Sequence, residues 1–170
     1  MTSKTPLNIL HLEDNPIDAE LVKETLAFGG INCVVNHVDN HEDFIFALEE
    51  TEYDLILADF SLPSFDGLTA LKLVKERGIK APFIFISAVL GEDLAIETLK
   101  SGATDYVIKS RLERLVPSVE RALREKEERL QRQKLEREIV ELEQEIKELD
   151  VAYQEVAKRV RGFLKMALPS

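Results

Sequence analysis

Asp54-Leu-Ile-Leu-Ala-Asp-Phe-Ser-Leu-Pro-Ser-Phe-Asp-Gly67 opens with a short apolar run, Asp54 to Ala58, that ends against a carboxylate, Asp59. The run is too short for a stable helix and apolar throughout, as expected of a strand buried on both faces of a parallel sheet. Four more runs of the same kind flank it: Leu7 to Leu12, Cys33 to Val38, Phe83 to Ser87 and Tyr106 to Ile108. Amphipathic stretches lie between them. Leu21, Val22 and Leu26 form one helical stripe and Phe44, Ile45 and Leu48 a second. Leu68, Leu71 and Val74 form a third, and Leu94, Ala95 and Leu99 a fourth. Gly29-Gly30, Gly78 and Gly102 stand where these helices should stop. Five β-α repeats predict a doubly wound five-stranded parallel α/β sheet, with ligands at the carboxyl ends of the strands.

That rule brings Glu13, Asp14, Asp59, Ser87 and Lys109 to one crevice, because each stands at or just past a strand end. A lone acidic residue at a strand end is ordinarily a solvated loop residue or a helix cap. Three carboxylates in one crevice repel one another unless a cation or proton intervenes. Their hard oxygen ligands suit Mg²⁺, which is usually completed by water and phosphate. A carboxylate can itself be a nucleophile that forms an aspartyl phosphate, while a metal and a lysine neutralise the moving phosphoryl charge. Ser87 supplies a hydroxyl for a phosphoryl oxygen. The set points to phosphoryl transfer onto Asp59.

Four ordered segments carry a resemblance: Leu10-His-Leu-Glu-Asp-Asn15, the Asp54 to Gly67 stretch, Phe83-Ile-Phe-Ile-Ser-Ala88 and Gly102-Ala-Thr-Asp-Tyr-Val-Ile-Lys109. From about Leu7 to Arg124 the chain resembles the receiver domain of bacterial two-component response regulators, a flavodoxin-like fold. The resemblance implies that Asp59 is the phosphoacceptor, and that Asp14 and Asp59 bind Mg²⁺ directly with the backbone carbonyl of Ser61. It implies that Glu13 acts largely through bound water, that Ser87 and Lys109 engage the phosphoryl oxygens, and that Tyr106 follows Ser87 as a switch. It also implies a histidine kinase or phosphotransfer protein as partner. The chain departs from the family in one place: Ser110 follows Lys109 where a proline, often cis, is common. A cis bond before a non-proline residue costs roughly 3 to 4 kcal/mol, so a trans bond and a differently shaped loop are expected.

Past Ser110 the character changes. No proline lies between Pro117 and Pro169, and no glycine precedes Gly162. One long helix is expected, continuing from the fifth helix of the receiver, with Val116, Val119 and Leu123 packing on the sheet. Leu135, Leu142, Leu149, Val156 and Phe163 then alternate at four-three spacing with Ile139, Ile146, Tyr153 and Val160. Such a heptad predicts a dimerising coiled coil, and the change of phase between Leu130 and Leu135 suits a stutter. The two-part reading is a receiver over 1–124 and a coiled-coil helix over 125–170. Both orientations of the pair stay open. In parallel, Glu138 faces Glu143 and Glu145 faces Asp150; antiparallel pairing near Leu149 sets Glu138 beside Arg159.

Hydrophobic residues make up 45% of the 170, enough for a packed core, and the formal charge of −10 argues against nucleic acid or an anionic membrane as partner. The single cysteine, Cys33, rules out an intramolecular disulfide and suits a reducing cytoplasm. No apolar run spans a bilayer, and Met1 to Pro6 lacks a signal stretch. His11, His37 and His41 have no metal-binding spacing and are expected to be structural. The glycines lack a nucleotide-binding pattern. Lys and Arg between Arg121 and Arg137 alternate with Glu, as on a solvated helix face. A separate enzymatic activity is not expected. A kinase dimerisation helix needs a histidine, and none follows His41; a haloacid-dehalogenase-like phosphatase needs an aspartate where Ser61 stands. No second compact domain with helix-turn-helix spacing follows, which disfavours a DNA-binding regulator. The alternative kept open is the receiver-plus-linker portion of a larger hybrid sensor kinase or other multidomain signalling enzyme.

Overall fold

The computed structural model describes residues 5–63, 65–88 and 91–168. Five strands, β1 (Leu7–Leu12), β2 (Cys33–Val38), β3 (Leu55–Asp59), β4 (Phe83–Ser87) and β5 (Asp105–Ile108), form one parallel sheet in the order β2-β1-β3-β4-β5. The helices between them are α1 (Pro16–Phe28), α2 (His41–Glu50), α3 (Gly67–Glu76) and α4 (Glu92–Lys100). A 3-10 turn, Lys109–Arg114, leads into α5 (Leu115–Ala167). The expected α/β class and the long last helix are both present.

Every residue of β3 and β4 is buried, which is why these strands read as unbroken apolar runs. Alternate residues serve opposite faces. Leu10, Leu12, Ile56, Ala58, Phe83 and Phe85 pack with Phe44 and Ala47 of α2 and with Ala70, Leu71 and Val74 of α3. Ile9, Leu55, Leu57, Ile84, Ile86 and Val107 pack with Val22 and Leu26 of α1 and with Leu115, Val119 and Ala122 of α5. Each large side chain buried this way contributes roughly 1.5 to 3 kcal/mol.

Several boundaries and stripes differ from expectation. β3 begins at Leu55; the Asp54 amide still donates to the Asn8 carbonyl (2.8 Å), while the Asp54 carboxylate accepts from the Asn8 amide (2.9 Å). β5 begins one residue early, at Asp105. In α1, Leu21 is exposed and Ala19 completes the buried face. In α4 the buried residue is Thr98, whose hydroxyl donates to the Ala95 carbonyl at 2.8 Å, and Leu99 is 46% exposed. In α5 the buried stripe runs through Leu115, Ser118, Val119 and Ala122, with Val116 and Leu123 only partly covered. Gly30, Gly78 and Gly102 all take positive φ just past α1, α3 and α4, as helix stops should. No peptide bond among the described residues is cis, so Lys109–Ser110 is trans.

Gly67 begins α3 with no room for a side chain. A Cβ there would lie 2.6 Å from the carbonyl oxygen of Asp59 and 2.6 Å from Phe85 Cε1, and its amide donates to the Phe60 carbonyl at 3.1 Å.

The chain divides into two compact units, 1–126 and 127–170. Within the second unit α5 is uninterrupted through Leu130 to Leu135. Its heptad positions, from Leu135 to Phe163, are each more than half exposed. No helix among the described residues is long and apolar enough to cross a membrane.

Candidate functional site

The strand order turns back on itself between β1 and β3, so the crevice at their carboxyl ends is where a doubly wound sheet binds ligands. Glu13 and Asp14 follow β1 directly, and Asp59 is the last residue of β3. Carboxylate oxygens of the three lie within 4.8 Å of one another, a hard-oxygen set that fits Mg²⁺. Glu13 is fully buried, Asp59 nearly so, and Asp14 is exposed, so one carboxylate opens to solvent where water and phosphate can complete a coordination shell.

Backbone turns fix these acids in place. The Glu13 amide donates to the Val38 carbonyl (3.0 Å), and its own carbonyl sits 2.6 Å from His37 Nε2. Glu13 Oε1 accepts from the Asn15 amide (2.9 Å), while Asn15 Oδ1 caps α1 through the amides of Ile17 and Asp18. Asp59 Oδ1 accepts from the Ser61 amide at 3.1 Å.

Lys109, just past β5, reaches into this cluster. Its Nζ donates to Asp59 Oδ2 and to Asp18 Oδ2, both at 2.8 Å, and lies 2.7 Å from Glu13 Oε2. Burial alone would push the Lys109 amine down; Asp18, Asp59 and Glu13 outweigh it and raise the amine above its ordinary value. Burial pushes the Glu13 carboxyl up, against the opposing pull of Lys109 and the Asn15 amide. Ser87, wholly buried, ends β4, and Tyr106 pairs in register with Phe85 while packing on the α2–α3 side of the sheet. Ser61 is exposed two residues beyond Asp59.

Two residues were not singled out by pattern. Asp18 stands in the first turn of α1, where an acidic residue is ordinarily accounted for by the helix dipole. His11 is expected to be structural and is indeed sealed inside β1. Neither ring nitrogen has a hydrogen-bond partner among the described residues. Burial, reinforced by His37 and Lys109 and opposed by Asp18, lowers its pKa to about 3.

The chain is similar to known proteins. NarL, the nitrate/nitrite response regulator of Escherichia coli, is 29% identical over 109 residues, 64% of this chain and 50% of NarL. The chemotaxis protein CheY of Bacillus subtilis is 30% identical over 101 residues, 59% of this chain and 83% of CheY. The chain thus matches only half the length of NarL. Among solved structures, the receiver domain of the Francisella response regulator 1452 superposes with a TM-score of 0.63 at 27% identity, covering 70% of this chain and 98% of that one. Residues 9–120 match the response regulator receiver domain, and the chain belongs to that family.

Proposed function

We propose that the chain is a phosphoaspartate signal receiver, in which Asp59 accepts a phosphoryl group from the phosphohistidine of a histidine kinase or phosphotransfer protein. The observation that carries this reading is the cluster of Glu13, Asp14 and Asp59 at the strand-order reversal, with Lys109 bonded to Asp59. Asp14 and Asp59, with the backbone carbonyl of Ser61, would hold Mg²⁺, and Glu13 would act largely through water. When bound, the ion would supply neutralisation of charge on the group in transfer. Lys109 then binds a phosphoryl oxygen from the side, and Ser87 donates its hydroxyl to another. Because Ser87 is sealed at the end of β4, its movement toward the phosphoryl group frees space that Tyr106 fills. The receiver catalyses its own phosphorylation and dephosphorylation, and works in the cytoplasm without nucleic acid or membrane as a direct partner.

The division is a receiver over 1–124 and a coiled-coil helix over 125–170, through which two copies associate. The bare heptad face supports this part: five large apolar side chains at one position and four at the other stand exposed in a single chain.

Incubation with acetyl phosphate and Mg²⁺, followed by intact-mass measurement, tests the chemistry. The wild type gains one phosphoryl group, Asp59→Asn gains none, and Asp14→Asn gains far less. Undiminished labelling of Asp59→Asn would remove Asp59 from its role.

A further inference from the structure

An ammonium group has three N–H donors, and three carboxylates stand within 2.8 Å of Lys109 Nζ: Glu13, Asp18 and Asp59. Asp18 and Asp59 accept hydrogen bonds from it and Glu13 adds an ion pair, so three carboxylates hold the one ammonium in this structure. A phosphoryl group arriving at Asp59 competes with these carboxylates for the ammonium, and the one that yields most readily sets how freely Lys109 can turn to it. Glu13 is sealed and anchored through the Asn15 amide. Asp59 is the acceptor itself. Asp18 differs from both: its side chain is 31% exposed, it projects from a helix, and water can solvate it once released.

We propose that Asp18 is a resting-state tether for Lys109 and a brake on phosphorylation. This rests on the reading of Asp59 as phosphoacceptor and adds a positioning residue to it. In the transfer, an Asp59 oxygen attacks the donor phosphorus, and the bond from phosphorus to the bridging oxygen of acetyl phosphate breaks, its electron pair leaving on acetate. Negative charge at the phosphoryl oxygens must be met by Lys109. Asp18 opposes this twice: it competes for the ammonium, and its charge repels the incoming anionic donor. It also ties the state of Asp59 to the first turn of α1, because a lysine turned toward the phosphoryl group releases that turn.

The test compares the wild type with Asp18→Asn, Asp18→Ser and Asp18→Glu at saturating Mg²⁺. The readouts are the initial rate of labelling by acetyl phosphate and the affinity for beryllofluoride, a phosphoryl mimic. Both neutral variants should label faster and bind beryllofluoride more tightly, by roughly two- to five-fold, the effect expected of one partly exposed charge. Asp18→Glu, which keeps the charge, should stay near the wild type. A purely structural role gives the opposite sign, because a disturbed site labels more slowly and binds more weakly. Unchanged or slower labelling in both neutral variants, with melting temperatures like the wild type, overturns the tether and leaves Asp59 untouched. A wild type that takes no label overturns both.

Discussion

Glu13, wholly enclosed, holds its Oε2 2.7 Å from Lys109 Nζ. Removing the cation strands a buried carboxylate, which is far costlier than losing an exposed pair. Lys109→Met, measured in chelator, is expected to lose about 3 kcal/mol or more at neutral pH. The deficit should shrink as pH falls, since Glu13, already pushed up by burial, can then take a proton. Glu13→Gln in the same background should recover much of the loss. A deficit that is flat between acid and neutral pH in urea titrations would rule out this account.

His11 sets an acid limit on the fold. Its pKa is lowered to about 3 inside the protein, against about 6.5 in an unfolded chain. Between those values the unfolded state binds the extra proton. The contribution is therefore complete above pH 6.5 and is lost as pH falls, at up to about 1.4 kcal/mol per pH unit. His37, Lys109 and Asp18 all face the ring electrostatically, and the first two oppose its protonation. His11→Leu should flatten the slope of stability against pH between about 6 and 4 relative to the wild type. An identical slope would mean that other groups set the acid limit.

Ser87 and Tyr106 form the proposed route out of the site. Ser87→Ala should keep the mass gain at Asp59 yet lose the phosphorylation-dependent change at Tyr106, read by fluorotyrosine NMR. The coupling at stake is of the usual size, roughly 1 to 3 kcal/mol. A normal Tyr106 response in the variant would exclude Ser87 as the link.

Ile146 lies near the middle of the heptad face. Each buried isoleucine contributes roughly 1.5 to 3 kcal/mol, and a dimer has two. Ile146→Lys should weaken association at least about 100-fold, a drop that sedimentation reads directly. A wild type that stays monomeric at high micromolar concentration, with and without phosphodonor, would leave the face as a docking strip for a different protein.

Strand ends made much of this site readable from sequence. Asp59, Glu13 and Lys109 each follow an apolar run, and the sheet geometry that gathers them is a property of the whole fold class. Asp18 was hidden because its pairing with Lys109 spans 91 residues of chain, and its helical position offered a sufficient local explanation. Thr98 in α4 was missed for a different reason. A threonine that bonds its own helix can occupy a core position that pattern reading reserves for Leu99. The heptad predicts the helix itself, but a partner's identity is not written in one chain's apolar spacing.

Gly67 gives the site a mechanical asymmetry. Its missing side chain lets the start of α3 press directly on the backbone of Asp59, with the Asp59 carbonyl oxygen and the Phe85 ring filling the space on either side. The proposed nucleophile thus sits on an anvil of backbone, while the cation bonded to it rides on a four-carbon arm. Under the proposed function, adjustment to an incoming group falls to the arm, and Asp59 is the fixed point from which the rest of the site is measured.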